Sequence, residues 1–314
     1  MPKMVEQPTK YDRGRNIQIQ NYVMDIQPKP PNKISITVAL DASPGSLAAL
    51  EISTALAKWM QAEICGVFVE DDNLVRLCEL PFSTEIGAQS ATSRYLTEFC
   101  ITREFEVLER AMQQRLEETA TRYEVPWRFE VRQGPVSEQL LSAAKTTSII
   151  SFGRVGRSEK QQIGSSARRL LAEAENAMLM SGSRQHEEFG STVTVLYTGT
   201  AAADRALRQA IQLVQNSENR LSIIVWPGEQ DPASTNPKME PTVEQLAQSA
   251  TDQLPENFSN VSPIHLQKIE GRTVVDLLRY AWSVYDGMLV LPSTSRGKLS
   301  AWLDVIDIPV LLVP

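Results

Sequence analysis

The sequence predicts an α/β protein made of two tandem, doubly wound parallel sheets of five strands each. Residues 34–40 are apolar and β-branched, a helical pattern follows them, and residues 63–69 form a second strand-like run. This order of strand, helix and strand implies a right-handed crossover and therefore a parallel sheet. A similar series of elements begins again after residue 190, which indicates an internal duplication.

The first unit is predicted to span residues 34–182. Ser43 is expected to cap its first helix, because a serine oxygen accepts first-turn amides and the proline at position 44 fits the first turn. Residues 70–87 are expected to be irregular. Residues 88–123 are expected to be helical with a break near 100–102, since the segment exceeds the usual helix length. The remaining elements are predicted as strands over 127–132, 147–152 and 177–180 and a helix over 135–145.

The second unit is predicted to span residues 191–314, after a polar linker at 183–190. Its strands are predicted at 192–197, 221–226, 264–269, 288–291 and 310–313, with helices at 201–215 and 271–282. The apolar segments 177–181 and 309–313 are expected to pair antiparallel, because an exposed apolar edge strand invites aggregation. This pairing would make the chain an intramolecular pseudo-dimer. A homodimer of whole chains is left open.

Residues 1–33 contain five prolines and few large apolar residues. This composition predicts an extended, poorly packed N-terminal arm, and a docking peptide is the less favoured interpretation.

Composition limits the classes of function. The net charge of −7 argues against nucleic acid as a partner, because no basic stripe offsets the acidic total. The sequence shows no apolar run of about 18 residues and no signal-peptide core, so no membrane association is expected. The three cysteines are odd in number and lack metal-binding spacing, which favours a reducing, cytoplasmic location.

A glycine-rich turn between a predicted strand and a predicted helix is the strongest local signal. It reads Gly153-x2-Gly156-x7-Gly164, followed by Ser165 and Ser166. Glycine allows close backbone approach, and a helix N-terminus attracts anions, so the pattern indicates a phosphate-binding turn. Ordinary turn chemistry is the alternative, in which the two serines serve only as helix caps.

Two further residues are expected at the same edge of the sheet. Asp41 and Val69 each end a predicted strand on the side where open parallel sheets bind ligands. Asp41 has the alternative role of capping the turn into its helix, and Val69 that of core packing. The basic residues near the glycine turn, which either contact a phosphate or are merely solvated, are Arg154, Arg157 and Lys160.

Residues 38–44, residues 134–141 and the glycine turn together resemble the universal stress protein family in its tandem form. The resemblance implies a Rossmann-like, adenine-nucleotide-binding fold that holds ATP or AMP, with Mg²⁺ where a triphosphate is bound. It implies that Asp41 holds the ribose or adenine and that Val69 offers backbone groups to the adenine edge. The phosphate-binding residues that it implies are Gly153, Gly156, Gly164, Ser165 and Ser166. Nucleotide-binding members carry Gly-x2-Gly-x9-Gly-Ser/Thr, and this chain is two residues shorter between the second and third glycines.

The second unit departs from this pattern. Thr198 stands where the first unit has Asp41, and Pro292 replaces Gly153 and removes a backbone donor. The second unit is therefore expected to be a degenerate scaffold.

Two functions remain open. One is a stress-related regulatory protein that binds an adenine nucleotide in the first unit and meets an unknown protein partner. The other is a nucleotide-free interaction scaffold of the same family. The sequence contains no catalytic motif, so slow ATP hydrolysis is the most that is expected of it as an enzyme.

Overall fold

The computed structural model describes residues 10–12, 17–20, 34–80, 83–86, 93–154, 164–182, 192–227, 241–256, 258, 264–268, 276, 287–293 and 308–314. Its strands are β1 (Lys10–Asp12), β2 (Ile17–Gln20), β3 (Ser35–Leu40), β4 (Glu63–Glu70), β5 (Thr84–Ile86), β6 (Ser93–Tyr95), β7 (Trp127–Gln133), β8 (Ile149–Gly153), β9 (Ala177–Ser181), β10 (Thr192–Tyr197), β11 (Arg220–Val225), β12 (Ile264–Lys268), β13 (Gly287–Pro292) and β14 (Val310–Val313). Its helices are α1 (Pro44–Trp59), α2 (Asp72–Leu77), α3 (Glu98–Tyr123), α4 (Val136–Ala144), α5 (Ser165–Glu173), α6 (Ala201–Gln215) and α7 (Val243–Asp252).

Twelve of these strands form one sheet in the order β1-β2-β7-β4-β3-β8-β9-β14-β13-β10-β11-β12. The strands β7-β4-β3-β8-β9 are parallel to one another and make up the first half-sheet. The strands β14-β13-β10-β11-β12 are likewise parallel and make up the second half-sheet. The predicted pair of parallel five-stranded sheets is therefore confirmed.

The two half-sheets join through an antiparallel pair, β9 with β14. Met178 lies opposite Leu312, Leu179 opposite Leu311, and Met180 opposite Val310. All six side chains are fully buried, so the junction is a core strand pair rather than a surface contact. The predicted pseudo-dimer is confirmed, and we call this pair the seam.

Helices cover both faces of the sheet, as the doubly wound fold requires. Buried side chains of α1, α3, α6 and α7 form one hydrophobic core on one face. Buried side chains of α4 and α5 belong to a second core on the other face. The seam contributes to both, because Leu179 and Leu311 face the first core while Met178 and Leu312 face the second. Each core therefore runs from one half-sheet into the other.

The segment before β7 differs from its prediction. Helix α3 runs without a break from Glu98, capped by Thr97, so the expected break near 100–102 is wrong. The apolar stripe explains this continuity, because Ile101 and Phe105 are buried on the same helix as Met112 and Leu116. The predicted helix began at residue 88, but residues 93–95 form the strand β6, which pairs with β5, so the prediction is wrong there. The short helix α2 lies within the region expected to be irregular.

The second half-sheet brings one helix that was not predicted. Helix α7 begins with a capping box, in which the Thr242 side chain accepts the Gln245 amide and the Gln245 side chain accepts the Thr242 amide. The predicted linker at 183–190 lies outside the described residues. So does the predicted helix at 271–282, apart from residue 276.

Two strands of the N-terminal arm extend the sheet. β2 pairs antiparallel with β7, and β1 pairs antiparallel with β2. The extended form of these segments was expected, but their addition to the sheet edge was not. In the part of the chain that the structure describes, we find no helix long and apolar enough to cross a membrane.

Truncating a seam residue should destabilise the whole chain. Leu312→Ala removes a fully buried side chain between the half-sheets, so we expect the free energy of unfolding to fall by about 2–5 kcal/mol. Urea unfolding measures this loss. Leu80→Ala is the control, because Leu80 is 56% exposed and its truncation should change stability by no more than about 0.5 kcal/mol. Equal effects of the two substitutions would contradict the seam as a core element.

Candidate functional site

A cavity of about 340 Å³ lies at the carboxyl ends of β3, β4 and β8. At this point the strand order reverses, because β4 and β8 flank β3 and the sheet continues away from it in both directions. Open parallel sheets bind ligands in this crevice. Six of the seven residues predicted for the site line the cavity: Asp41, Val69, Gly153, Gly164, Ser165 and Ser166. Gly156 lies outside the described residues, as do Arg157 and Lys160.

The turn after β3 presents Asp41 to the cavity. One carboxylate oxygen of Asp41 accepts the Ser43 amide at 2.9 Å, so Asp41 does stabilise the turn, as one interpretation held. Ala42 adopts a left-handed conformation with φ of 62°, which is costly for a residue with a β-carbon. The Ser43 hydroxyl accepts the Ser46 amide at 3.1 Å and caps α1. The turn is therefore held by local hydrogen bonds while Asp41 borders the cavity.

Strand β4 projects beyond β3 at the cavity edge. Its pairing with β3 ends where Phe68 meets Leu40, whereas its pairing with β7 continues through Val69 to Glu70. The main chain at Val69 therefore extends past the last β3 residue and borders the crevice. The Val69 side chain packs against the core that contains α4 and α5, so the core-packing interpretation also holds for its side chain.

Gly153 is required by the packing of the protein itself. A β-carbon at this position would lie 2.5 Å from the Gly45 carbonyl carbon and 2.8 Å from the Ser46 nitrogen. These backbone atoms belong to the first turn of α1, so the end of β8 passes directly against that helix N-terminus. A glycine here allows the close approach between β8 and α1.

Gly164 differs from Gly153, because a β-carbon at Gly164 would meet no atom of the described residues within 4 Å. It occupies the N-cap position of α5 and supplies no side-chain cap. Its amide donates to the main-chain oxygen of Arg154 at 3.3 Å, which joins the two ends of segment 155–163. The first turn of α5 thus faces open space in the cavity without a capping side chain.

Ser165 and Ser166 are the first two residues of α5, so the interpretation of either serine as the helix N-cap is wrong. Both hydroxyls lie at the helix end that carries the positive pole of the peptide dipoles. An anion placed above this turn would meet backbone amides and serine hydroxyls together.

Other cavity residues were missed by sequence reasoning. Asp71 caps α2, and its carboxylate accepts the Asn73 amide at 3.0 Å. Because β4, β3 and β8 are adjacent in that order, Asp71 and Asp41 lie over β4 and β3, and the α5 N-terminus follows β8. Asp71 directly follows the strand β4, and this position in the sequence could have identified it as a residue of the site. Apolar side chains form much of the remaining wall, among them Leu74, Phe105, Leu108, Val136 and Leu140.

The corresponding edge of the second half-sheet is built differently. Thr198 follows β10, and the next residue, Gly199, has φ of +71°. A β-carbon on Gly199 would lie 2.3 Å from the Leu246 side chain, so α7 packs directly over this turn. Pro292 ends β13 and carries no amide hydrogen. The remainder of the turn after β13, from residue 294 to residue 300, lies outside the described residues.

A partly buried polar cluster fixes α7 against β10 and α6. The Tyr197 hydroxyl donates to Asp204 at 2.8 Å, and the Gln253 side chain donates to the same carboxylate oxygen at 2.7 Å. Burial, which is the main cause, raises the pKa of Tyr197. Leu40 occupies the matching position at the end of β3, so this side of the first half-sheet lacks the cluster.

Among the described residues, no group of three or more histidine, cysteine, aspartate or glutamate side chains is placed to hold a metal ion.

The fold is shared with solved universal stress proteins. A universal stress protein from Archaeoglobus fulgidus DSM 4304 superposes with a TM-score of 0.61 at 15% identity, covering 89% of this chain and 97% of that chain. A protein assigned to the universal stress proteins from Pseudomonas aeruginosa UCBPP-PA14 superposes with a TM-score of 0.52 at 12% identity, covering 89% and 92%. A functionally unknown protein from Pseudomonas aeruginosa PAO1 gives 0.52 at 13% identity, with the same two coverages. No protein-family model and no curated protein matches the sequence.

The two cavity glycines should respond differently to a β-carbon. Gly153→Ala forces a carbon against the α1 backbone, so we expect the free energy of unfolding to fall by about 1–3 kcal/mol. Gly164→Ala meets open space at a helix N-cap, so the change should stay below about 1 kcal/mol. Urea unfolding of the two variants gives the comparison. A larger loss for Gly164→Ala than for Gly153→Ala would refute this account of the turn.

Proposed function

We propose that this chain, which has the universal stress protein fold, is a stress-related regulatory protein that binds an adenine nucleotide at the carboxyl edge of its first half-sheet. The bound species is ATP or AMP, with Mg²⁺ accompanying the triphosphate. Residues 34–182 form the binding domain, residues 183–190 link the two domains, and residues 191–314 form a structural domain.

One observation carries this proposal. Predicted site residues at β3, β4, β8 and α5 converge on one cavity, which has a carboxylate over β3 and a helix start without a side-chain cap beside β8. A nucleotide has matching chemistry, because its ribose hydroxyls donate hydrogen bonds and its phosphates accept them. The cavity volume of about 340 Å³ lies within the roughly 300–1,000 Å³ that is usual for small-molecule sites.

The roles of the residues follow from their places along this edge. Asp41 accepts hydrogen bonds from the ribose, and the main chain at Val69 bonds the adenine edge. Gly164, Ser165 and Ser166 bind the phosphates through backbone amides and hydroxyls, and the residues that complete this cradle are Gly153 and Gly156. The side chains of Phe105 and Leu108 add apolar wall area beside the base.

The second half-sheet serves as a scaffold in this proposal. It has threonine in place of Asp41, proline in place of Gly153, and α7 packed over the turn after β10. The nucleotide then acts by altering the surface around the first cavity, where an unknown protein partner docks. We place the protein in the cytoplasm, and we assign it no catalytic residue.

Calorimetry should find one adenine-nucleotide site per chain. Titration of the full chain with ATP and with AMP is expected to give a stoichiometry no greater than one, because, among the residues that the structure describes, the carboxylate and the open helix start occur together at the first edge. Mass spectrometry of the extract from denatured protein identifies any nucleotide that copurifies. Two equivalent sites would contradict the structural role of the second half. Absence of binding would favour the interaction scaffold.

Two substitutions test the assigned contacts without disturbing the fold. Asp41→Asn keeps an oxygen for the Ser43 amide but removes the charge, so the free energy of nucleotide binding should weaken by about 1 kcal/mol, the difference between a hydrogen bond to a charged acceptor and one to a neutral acceptor. Gly164→Val fills open space above α5, and we expect at least a tenfold loss of affinity with native circular dichroism.

Thr200→Val is the matched control for these substitutions. Thr200 caps α6 in the second half-sheet, so its loss should reduce stability by about 1 kcal/mol and leave nucleotide affinity unchanged. Unchanged affinity in both Asp41→Asn and Gly164→Val would show that the cavity residues serve only the fold.

A further inference from the structure

Exposed apolar side chains gather on one part of the first half. Among the residues that the structure describes, seven large hydrophobic side chains are exposed, and six of them lie between residues 74 and 107. Their exposed fractions run from 37% to 74%, so each can be reached by a partner. Such a concentration of exposed apolar surface is typical of an interaction site. The six, which we call the α2–α3 patch, are Leu74, Leu77, Leu80, Tyr95, Phe99 and Val107.

The segment that contains α2 supplies a row of exposed leucines. Leu74 and Leu77 lie on α2 and Leu80 follows it, at intervals of three residues that place them on one side of the segment. Val75 and Cys78 instead pack against the first hydrophobic core. The segment is therefore attached to the protein by other side chains, and its leucines remain available.

The start of α3 supplies a second row. Phe99 and Val107 are eight residues apart, which places them on one face of the helix and about 12 Å apart along its axis. The buried residues Ile101, Phe105 and Met112 occupy the opposite face. Phe99 and Val107 are therefore not needed for the packing of α3 onto the sheet.

Main-chain hydrogen bonds join the two rows. The Ser83 amide donates to the Leu80 carbonyl at 3.3 Å, and the Leu96 amide donates to the Ser83 carbonyl at 2.9 Å. Tyr95 directly precedes Leu96, and α2 packs against α3. The rows therefore border one surface. This surface begins at the nucleotide cavity, because Leu74 also lines that cavity.

Carboxylates surround the α2–α3 patch. Residues 70–110 contain nine aspartates and glutamates, four arginines and no lysine, which gives a net charge of −5 out of −7 for the whole chain. The exposed residues Glu79, Glu98 and Glu106 each directly precede an apolar residue of the patch. A partner that covers the apolar side chains therefore meets negative charge around them.

Some of these carboxylates repel one another. Burial raises the pKa of Glu109, and the charges of Glu70 and Glu106 raise it further, although Arg110 lowers it. A cation from a partner would reduce this repulsion. A second copy of the chain would increase it, because a twofold contact sets the same charges against each other. An anionic membrane surface is disfavoured for the same reason.

We propose that the α2–α3 patch binds a basic amphipathic helix of a partner protein. The apolar face of that helix covers the leucine row together with Phe99 and Val107. Its lysines and arginines lie beside Glu79, Glu98 and Glu106. The inference rests on the proposed function, in which an unknown protein partner docks around the first cavity.

A labelled peptide of leucine and lysine at amphipathic helical spacing is a suitable probe, and the same peptide with glutamate for every lysine is its counterpart. Fluorescence anisotropy with the full chain should show saturable binding of the leucine–lysine peptide and at least tenfold weaker binding of the leucine–glutamate peptide. Binding of the leucine–lysine peptide should weaken as salt is added, because exposed charges are screened.

Substitutions in the apolar part of the patch test its contacts. Leu77→Ala combined with Phe99→Ala should weaken binding of the leucine–lysine peptide by about tenfold or more, with native circular dichroism. Ile34→Ala is the matched control and should leave the affinity unchanged. Ile34 lies outside the patch and is 37% exposed, close to the 43% of Leu77.

Substitutions of carboxylates test the charge requirement. Glu79→Gln combined with Glu98→Gln should weaken binding of the leucine–lysine peptide by about threefold, as expected for two exposed ion pairs. Glu124→Gln is the control, because it removes an exposed carboxylate just beyond the other end of α3 and should leave the affinity unchanged.

The docking surface is overturned if the leucine–lysine peptide does not bind, if the leucine–glutamate peptide binds equally well, or if Ile34→Ala weakens binding as much as the Leu77 and Phe99 double variant does. A wild-type dimer in sedimentation that the double variant dissociates would assign the patch to a second copy instead and would also overturn it.

ATP titration of the same double variant separates this inference from the proposed nucleotide site. ATP affinity should match that of the wild-type chain, because Leu77 and Phe99 are not among the described residues that line the cavity. A chain that binds the peptide but not ATP would refute the nucleotide site and support the docking surface. A chain that binds ATP but not the peptide would refute the docking surface alone.

Discussion

The pairing of β9 with β14 is the interaction on which the rest of the structure depends. Each strand ends a parallel half-sheet, and each consists almost entirely of apolar residues. If left at an edge, either strand would expose unpaired backbone groups beside hydrophobic side chains. Pairing them satisfies both edges at once and places α1 and α6 on the same face of one continuous sheet.

The two half-sheets share one architecture, but their carboxyl edges are built differently. In the first half-sheet, the turn after β3 is held by short hydrogen bonds, and the start of α5 faces open space. In the second, Gly199 lies beneath Leu246, and the polar cluster at Tyr197 fixes α7 in that position. The helix α7 therefore supplies packing at the place where the first half-sheet has a cavity.

Much of this could be predicted from sequence because the strands are short, apolar and bounded by turn residues. β10 and α6 begin and end where they were predicted. The seam could be predicted because β9 and β14 are both apolar and uncharged, so neither is suited to an exposed sheet edge. The failures arose where local pattern is ambiguous. The stripe of α3 starts only at Ile101, so polar residues ahead of it were misread as helix.

Because the two half-sheets belong to one chain, their carboxyl edges can differ from each other. In a symmetric dimer, a substitution is made in both copies, so a residue that suits one edge is imposed on the other. Here each half-sheet is encoded separately, and a change such as aspartate to threonine at a strand end occurs once. One edge can therefore specialise for packing while its counterpart stays open. The joining of the halves also remains a unimolecular event that does not depend on protein concentration.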